Sequence, residues 1–397
     1  MGFRQTLLKL VCVTLAIAYA AHIIFLDDTP RAAHTIPSPS IIYSPPPPPP
    51  PAAFASAALS SPPPPPPPPS PPPPPPPRAS AVTIKSASTL SPVHVVVGAD
   101  REHWAGVIGV VNSLVANTNA PERLRILALA PAGLEKKFNK YLECHGLKPS
   151  DSSSSRLRVA GFSSDRVPPL KVRTKLTNLE SPLNFARFYL HELLPPGTAK
   201  VLYLDADTIV QGDAVELYDQ SLPNDELCAA TLRRTRLGDK GVASLKGDKL
   251  NQRYKERYGA KLPLKERGFN AGVFVFNLRA WVQHNLTDEA EYWIRQNNEE
   301  GLYALGSQPP LTLAIHGARG GTGRCQALPS EWHLDCLGCI GQGRIKTKQQ
   351  LKTAKLFHWN GPNKPFATNK RGGKRAHYEL FEPYEGKGED CGDSPKG

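Results

Sequence analysis

Asp205 and Asp207 stand one residue apart at the end of "VLYLDAD", directly after the apolar run Val201 to Leu204. In an extended chain, residues two apart face the same side at ~6–7 Å. Two carboxylates at that distance repel by roughly 2–3 kcal/mol at an effective dielectric of about 20. A hydrophobic strand that ends by aiming two like charges at one point needs something to offset them. A divalent cation with oxygen ligands, Mn2+ or Mg2+, shared with a third ligand and phosphate oxygens, meets that need. The pair alone is weak support, because turn-forming Asp often ends a strand.

The second candidate stretch is "FHWNGPNKPF", residues 357–366. His358 ends a short strand where it can supply an imidazole. Gly361 lets backbone come close to a ligand, and Lys364 brings a point charge suited to phosphate. Taken singly, His358 reads better as a core or surface histidine and Lys364 as an ordinary loop lysine.

These groups need a scaffold, and the sequence from Pro92 onward describes one. "VHVVVGA", "LRILALA", "RLRVAGF" and "VLYLDAD" read as strands buried on both faces. "HWAGVIGVVNSLVAN", "GLEKKFNKYLECHG" and "LNFARFYLHELLP" between them carry helical periodicity. Such alternation predicts an α/β sheet, mostly parallel, with right-handed crossovers and helices on both faces. "GFNAGVFVFNL" (268–278) adds a strand, followed by an amphipathic helix around Trp281–Asn297, and "KLFHW" a last short one. Ligands in such sheets sit beyond the carboxyl ends of the strands, where Asp205 and Asp207 lie.

The first ninety residues are of another kind. Of 43 prolines, 22 fall in the runs 45–51, 62–69 and 71–77. Residues 27–91 lack the large apolar side chains needed to fold and predict a disordered, semi-rigid polyproline stem. Before it, residues 10–26 are nearly all apolar and as a helix would run ~25 Å. Arg4 and Lys9 precede this stretch and Asp27 and Asp28 follow it, which predicts a cytoplasmic tail (1–9) and a transmembrane signal anchor (10–26). A cleaved signal peptide ending near "AYA" (18–20) is the alternative. The folded domain is then 92–378, with a C-terminal tail at 379–397.

The formal charge is +13, and residues 344–375 hold ten Lys/Arg and no Asp/Glu. That suits a phosphate-bearing or acidic ligand or a solvated face; a nucleic-acid partner is not expected. Cys12 lies in the anchor, leaving six cysteines for up to three disulfides of undetermined connectivity. Cys336-x-x-Cys339 with His333 nearby lacks the second ligand pair of a zinc site, so a disulfide or buried thiols is expected. Asn285-Leu286-Thr287 is a glycosylation sequon in keeping with the secretory pathway.

Together the segments resemble glycosyltransferase family 8. The matching pieces stand in family order over 93–366: "GADREHWAGVIGVVNSLVANT", "LNFARFYLHELLP", "VLYLDADTIVQGD", "GFNAGVFVFNLRAW", "NEEGLYALGSQPPLTL" and "KLFHWNGPNKPF". Within the family the chain looks most like the glycosyltransferase-8-domain-containing and galacturonosyltransferase-like members. The resemblance implies a GT-A fold and a retaining, Mn2+-dependent transfer of a hexose-type sugar from a UDP-sugar to a glycan or glycoprotein.

It further implies that Asp205, Asp207 and His358 bind the metal, with Ala206 between the two carboxylates at the donor site. Lys364 and Gly361 would bind the diphosphate, and Ala99 and Asp100 the uridine. Arg187 would reach the donor phosphate or sugar, and Asn270, with Ala271 and Gly272, would line the sugar pocket. Many members carry an Asp-Gln pair at the sugar; here the place reads Ser307-Gln308, so Gln308 remains and the carboxylate does not. Golgi residence as a single-pass type II protein follows from the architecture and the analogy. Two rivals stand beside this reading. One is a glycosyltransferase-like binding protein without turnover, the other a proline-rich extracellular structural protein.

Overall fold

The structure is a computed structural model, and it describes residues 91–386 and 388 except 153, 172–180, 224, 240–244, 246, 305, 342–344, 368–374, 376 and 387. The expected anchor (10–26) and nearly all of the expected stem (27–91) lie outside the described residues. Among those described, no helix is long and apolar enough to cross a membrane.

Strands β1 (Val93–Gly98), β2 (Leu124–Pro131), β3 (Leu157–Phe162) and β4 (Lys200–Asp205) lie parallel in the order β3-β2-β1-β4. The doubly buried pattern predicted this, and Val95, Val96 and Val97 are fully buried in the centre. Beyond β4 one strand reverses: β7 (Arg267–Asn277) runs antiparallel to both β4 and β6 (Cys228–Arg236), so β6 points the same way as β4. β8 (Cys325–Ala327) closes the edge parallel to β6. The result is the mixed, mostly parallel GT-A-like α/β sheet. "CAATLRRTR" ends in Arg-Arg-Thr-Arg and carries no clean period, which is why β6 goes unread in the sequence.

Helix α1 (Trp104–Ala116) covers one face of the sheet, and α2 (Glu135–Cys144) packs beside it. Trp104 stacks on Phe138 at 4.7 Å and 26°, a contact worth ~0.5–1.5 kcal/mol beyond its buried area. The opposite face is covered by α7 (Leu286–Glu300) and α8 (Gln308–Gly321), which follow the short helices α3 (Leu190–Leu193), α4 (Ala214–Gln220), α5 (Asp248–Tyr258) and α6 (Leu278–Gln283). The helix expected at "LNFARFYLHELLP" is in fact a 3-10 segment, Pro182–Phe188, followed by the four residues of α3. Pro182 stands at its first turn, where the missing N–H costs nothing, and Leu183, Phe185, Ala186 and Phe188 are buried.

A separate two-stranded sheet pairs β5 (Thr208–Val210) with β9 (Leu356–His358). The expected boundary between domain and tail at 378 falls within the first of two 3-10 turns, Tyr378–Leu380 and Glu382–Tyr384. Phe381 between them is buried with Ile209, Phe357 and Trp359.

Candidate metal and donor site

β4 delivers Asp205 to the carboxyl edge of the sheet, and the chain turns at Ala206 and Asp207 before β5 begins. The Thr208 hydroxyl closes that turn by donating to the Asp205 carbonyl at 2.8 Å. The two carboxylates therefore converge around a turn, not along an extended strand as the spacing suggests. Antiparallel pairing then sets Thr208 opposite His358, and the Trp359 N–H donates to the Asp207 carbonyl at 2.9 Å. This small sheet joins two segments far apart in the chain.

His358, 2 % exposed, places Nε2 at 3.1 Å from Asp207 Oδ1 and 3.8 Å from Asp205 Oδ2. One ligand atom from each of the three residues falls within 4.8 Å of the others. On β7, Gly272 backs the cluster. A Cβ there would lie 2.4 Å from His358 Cε1 and 2.5 Å from Asp205 Oδ2. Two carboxylate oxygens and one imidazole nitrogen converging on a space only glycine leaves open fit a divalent cation such as Mn2+ or Mg2+.

Lys364 is ion-paired with Asp207 Oδ2, and its Nζ donates to the Trp359 carbonyl at 2.9 Å. Burial alone would push the Asp207 carboxyl up, but Lys364 and His358 outweigh it and hold it well below the usual carboxylate range. The loop before Lys364 is shaped by contact with another loop. Gly361 has φ 112°, and a Cβ would meet the Gly338 carbonyl at 2.6 Å. Gly338 sits in a turn closed by the Cys336–Cys339 disulfide, and its carbonyl accepts from the Asn363 N–H at 3.0 Å. The cysteine pair is thus a disulfide. Cys228–Cys325 is another, linking β6 to β8.

Arg187 is 5 % exposed. Its guanidinium donates to Asp205 Oδ1 at 3.0 Å, to the Ala271 carbonyl at 2.9 Å and to the Asn184 carbonyl at 2.9 Å, and it lies 4.4 Å from the Tyr203 ring. The resemblance gives Arg187 a reach to the donor; the structure sets it behind Asp205, fixing one carboxylate oxygen. Gln308 joins the same edge. Its Nε2 donates to the Phe269 carbonyl at 2.7 Å, and its Oε1 accepts from Ala271 N–H at 3.4 Å and Arg233 at 3.3 Å. Asn270, 4 % exposed, turns its carbonyl onto the Gly272 N–H at 2.9 Å. Ala99 and Asp100 follow Gly98, which pairs with Asp205 in the sheet. They share the edge, but among the described residues neither hydrogen-bonds to the cluster. Ser307 is buried, at the start of α8.

Two neighbours went unassigned in the sequence. Arg233 on β6 donates to Phe269 O at 3.0 Å as well as to Gln308. His333, noticed there only for its nearness to the cysteine pair, brings its Nε2 to 2.8 Å from Nδ1 of His358. Nothing in the spacing of 333 and 358 signals that contact, which exists only because both flank the same small sheet.

Sheet and site together are those of a GT-A-type glycosyltransferase. The chain belongs to glycosyltransferase family 8, whose family model matches residues 94–370. It is 32 % identical over 287 residues to glycosyltransferase 8 domain-containing protein 1 of Homo sapiens, covering 69 % of this chain and 73 % of that one. To domain-containing protein 2 of Homo sapiens it is 29 % identical over 291 residues, covering 69 % and 78 %. Among solved structures, an active-site mutant of LgtC aligns with TM-score 0.51 at 19 % identity, over 74 % of this chain and 95 % of that one. The bifunctional glycosyltransferase WbbM, apo, aligns with TM-score 0.51 at 20 % identity, over 75 % of this chain and 50 % of that one.

Proposed function

We propose that the chain is a retaining hexosyltransferase that moves a sugar from a UDP-sugar to a hydroxyl of a glycan or glycoprotein with Mn2+. The observation that carries this reading is the convergence of Asp205, Asp207 and His358 beside Lys364. Asp205, Asp207 and His358 would hold the cation, which when bound would supply positive charge facing the donor diphosphate. Lys364 is placed to exchange its contact with Asp207 for a diphosphate oxygen, adding a second positive charge to the leaving group. Arg187 fixes Asp205, and Asn270 and Gln308 line the edge where the sugar would lie.

Among the grouped side chains the resemblance leaves no carboxylate in the place of Ser307. Retention is therefore assigned to attack from the leaving-group face, with a phosphate oxygen taking the acceptor proton and Gln308 orienting the sugar. A covalent sugar–protein adduct trapped during turnover overturns that part. The apolar stretch 10–26, the proline runs and the disulfides Cys228–Cys325 and Cys336–Cys339 support a Golgi type II protein with its catalytic domain in the oxidising lumen.

The deciding experiment is UDP release from a panel of UDP-sugars with and without Mn2+. Release with one donor, lost on chelation, supports the reading. Tight UDP-sugar binding without release from any donor favours the non-catalytic binding protein, for which the missing carboxylate at Ser307 speaks.

A further inference from the structure

We infer that His333 is a positioning residue for the cation site, accepting the Nδ1–H of His358 and so leaving the Nε2 lone pair of His358 for the ion. The inference rests on reading Asp205, Asp207 and His358 as the metal ligands. A neutral imidazole carries one proton on one of its two nitrogens. Nε2 of His358 faces the carboxylates, at 3.1 Å from Asp207 Oδ1 and 3.8 Å from Asp205 Oδ2. For that nitrogen to ligate a cation, the proton must sit on Nδ1, and a buried N–H needs an acceptor. The acceptor within reach is Nε2 of His333, at 2.8 Å, with the two ring centres 5.1 Å apart.

The backbone around His333 is built to hold that geometry. The His333 N–H donates to the Ser330 carbonyl at 3.2 Å and the Leu334 N–H to Leu356 O at 2.8 Å. On either side of the ligand, the His358 N–H donates to Leu334 O at 3.0 Å and the Leu337 N–H to His358 O at 3.1 Å. The Cys336–Cys339 disulfide closes the turn that follows. The segment 333–339 thus grips His358 by its ring and by both backbone groups. His333 touches neither the carboxylates nor the space between them by any hydrogen bond among the described residues. It acts through His358.

The test measures Mn2+ binding to the full-length protein by electron paramagnetic resonance of free Mn2+, with no turnover needed. His333→Leu removes the acceptor at similar volume; His333→Gln keeps an acceptor at a comparable reach; His358→Ala is the control. The expected result is Mn2+ affinity weakened about 10- to 100-fold in His333→Leu, most of it restored in His333→Gln, with thermal unfolding of the Gln variant close to that of the parent. If His333→Leu binds Mn2+ like the parent while His358→Ala does not, the positioning role is wrong and the metal site stands. If His358→Ala also binds normally, the metal-site reading fails and takes this one with it. A second readout uses the unmodified protein, so a poorly folding variant leaves the matter decidable. Imidazole 15N spectra with diamagnetic Mg2+ should show His358 protonated at Nδ1 and bare at Nε2. Protonation at Nε2 in that loaded state overturns the inference.

Discussion

Gly272→Ala adds one methyl group to the wall of the candidate cation site. Gly272 is not among the positive-φ glycines, so alanine fits the backbone and the variant tests space alone. Its Cβ would stand 2.4 Å from His358 Cε1 and 2.5 Å from Asp205 Oδ2, against ordinary contact distances of about 3.5–4.0 Å. Removing the overlap requires ligand groups to move by about 1 Å. Neither has an easy retreat: Asp205 is tied to Arg187 and His358 to His333. Overpacking of this kind costs about 1–3 kcal/mol of stability, and a 1 Å displacement at a reacting centre costs about 10²-fold in rate. The expected outcome is Mn2+-stimulated UDP release down about 100-fold, weaker Mn2+ binding and a modest fall in Tm. The assay is UDP release against Mn2+ concentration, read beside calorimetry. A variant with parental Mn2+ dependence and rate refutes the claim that β7 shapes the site, because both close contacts are to ligand residues.

Other outcomes follow from the same geometry. Asp207→Asn should abolish Mn2+-dependent transfer, by at least about 10²-fold, while circular dichroism stays parental; an unchanged rate counts against the metal role. Replacing Cys336 and Cys339 together by serine should raise the donor KM by loosening Gly338 beneath the Gly361–Lys364 loop, and an unaltered KM shows the clamp to be dispensable. Burial, then Arg324, lowers His316 to about 4 from the ordinary 6.5. A depressed histidine stabilises fully above its unfolded value and loses that contribution as pH falls from about 6.5 through about 4. The shift corresponds to ~3 kcal/mol, so His316→Gln should flatten the acid side of a pH series of denaturant midpoints, and an equally steep fall in the variant refutes it. Asp213 caps α4 by accepting from the Val215 N–H at 3.0 Å and from the Thr118 hydroxyl; Asp213→Ala should cost about 1–2 kcal/mol in urea unfolding.

Local chemistry determines much of this protein without reference to the fold. Runs such as "VHVVVGA" and "LRILALA" are apolar on both faces but for His94 and Arg125, which marks interior strands, and most of the intervening 3.6-residue periods are helices. Like-charge repulsion marked Asp205 and Asp207 as a pair wanting a cation, and motif order added His358 and Lys364. The reversed direction of β7 between β4 and β6 is not legible, since a strand buried on both faces reads alike in either direction. Nor is the turn at Ala206, which brings the two carboxylates together where an extended chain would hold them apart. The charge of Arg187 is readable from sequence and its partner is not; tertiary packing pairs it with Asp205. His333 was legible as a residue but not as a contact, for hydrogen bonds between segments depend on strand pairing across long chain separations, and pairing is decided by the whole sheet.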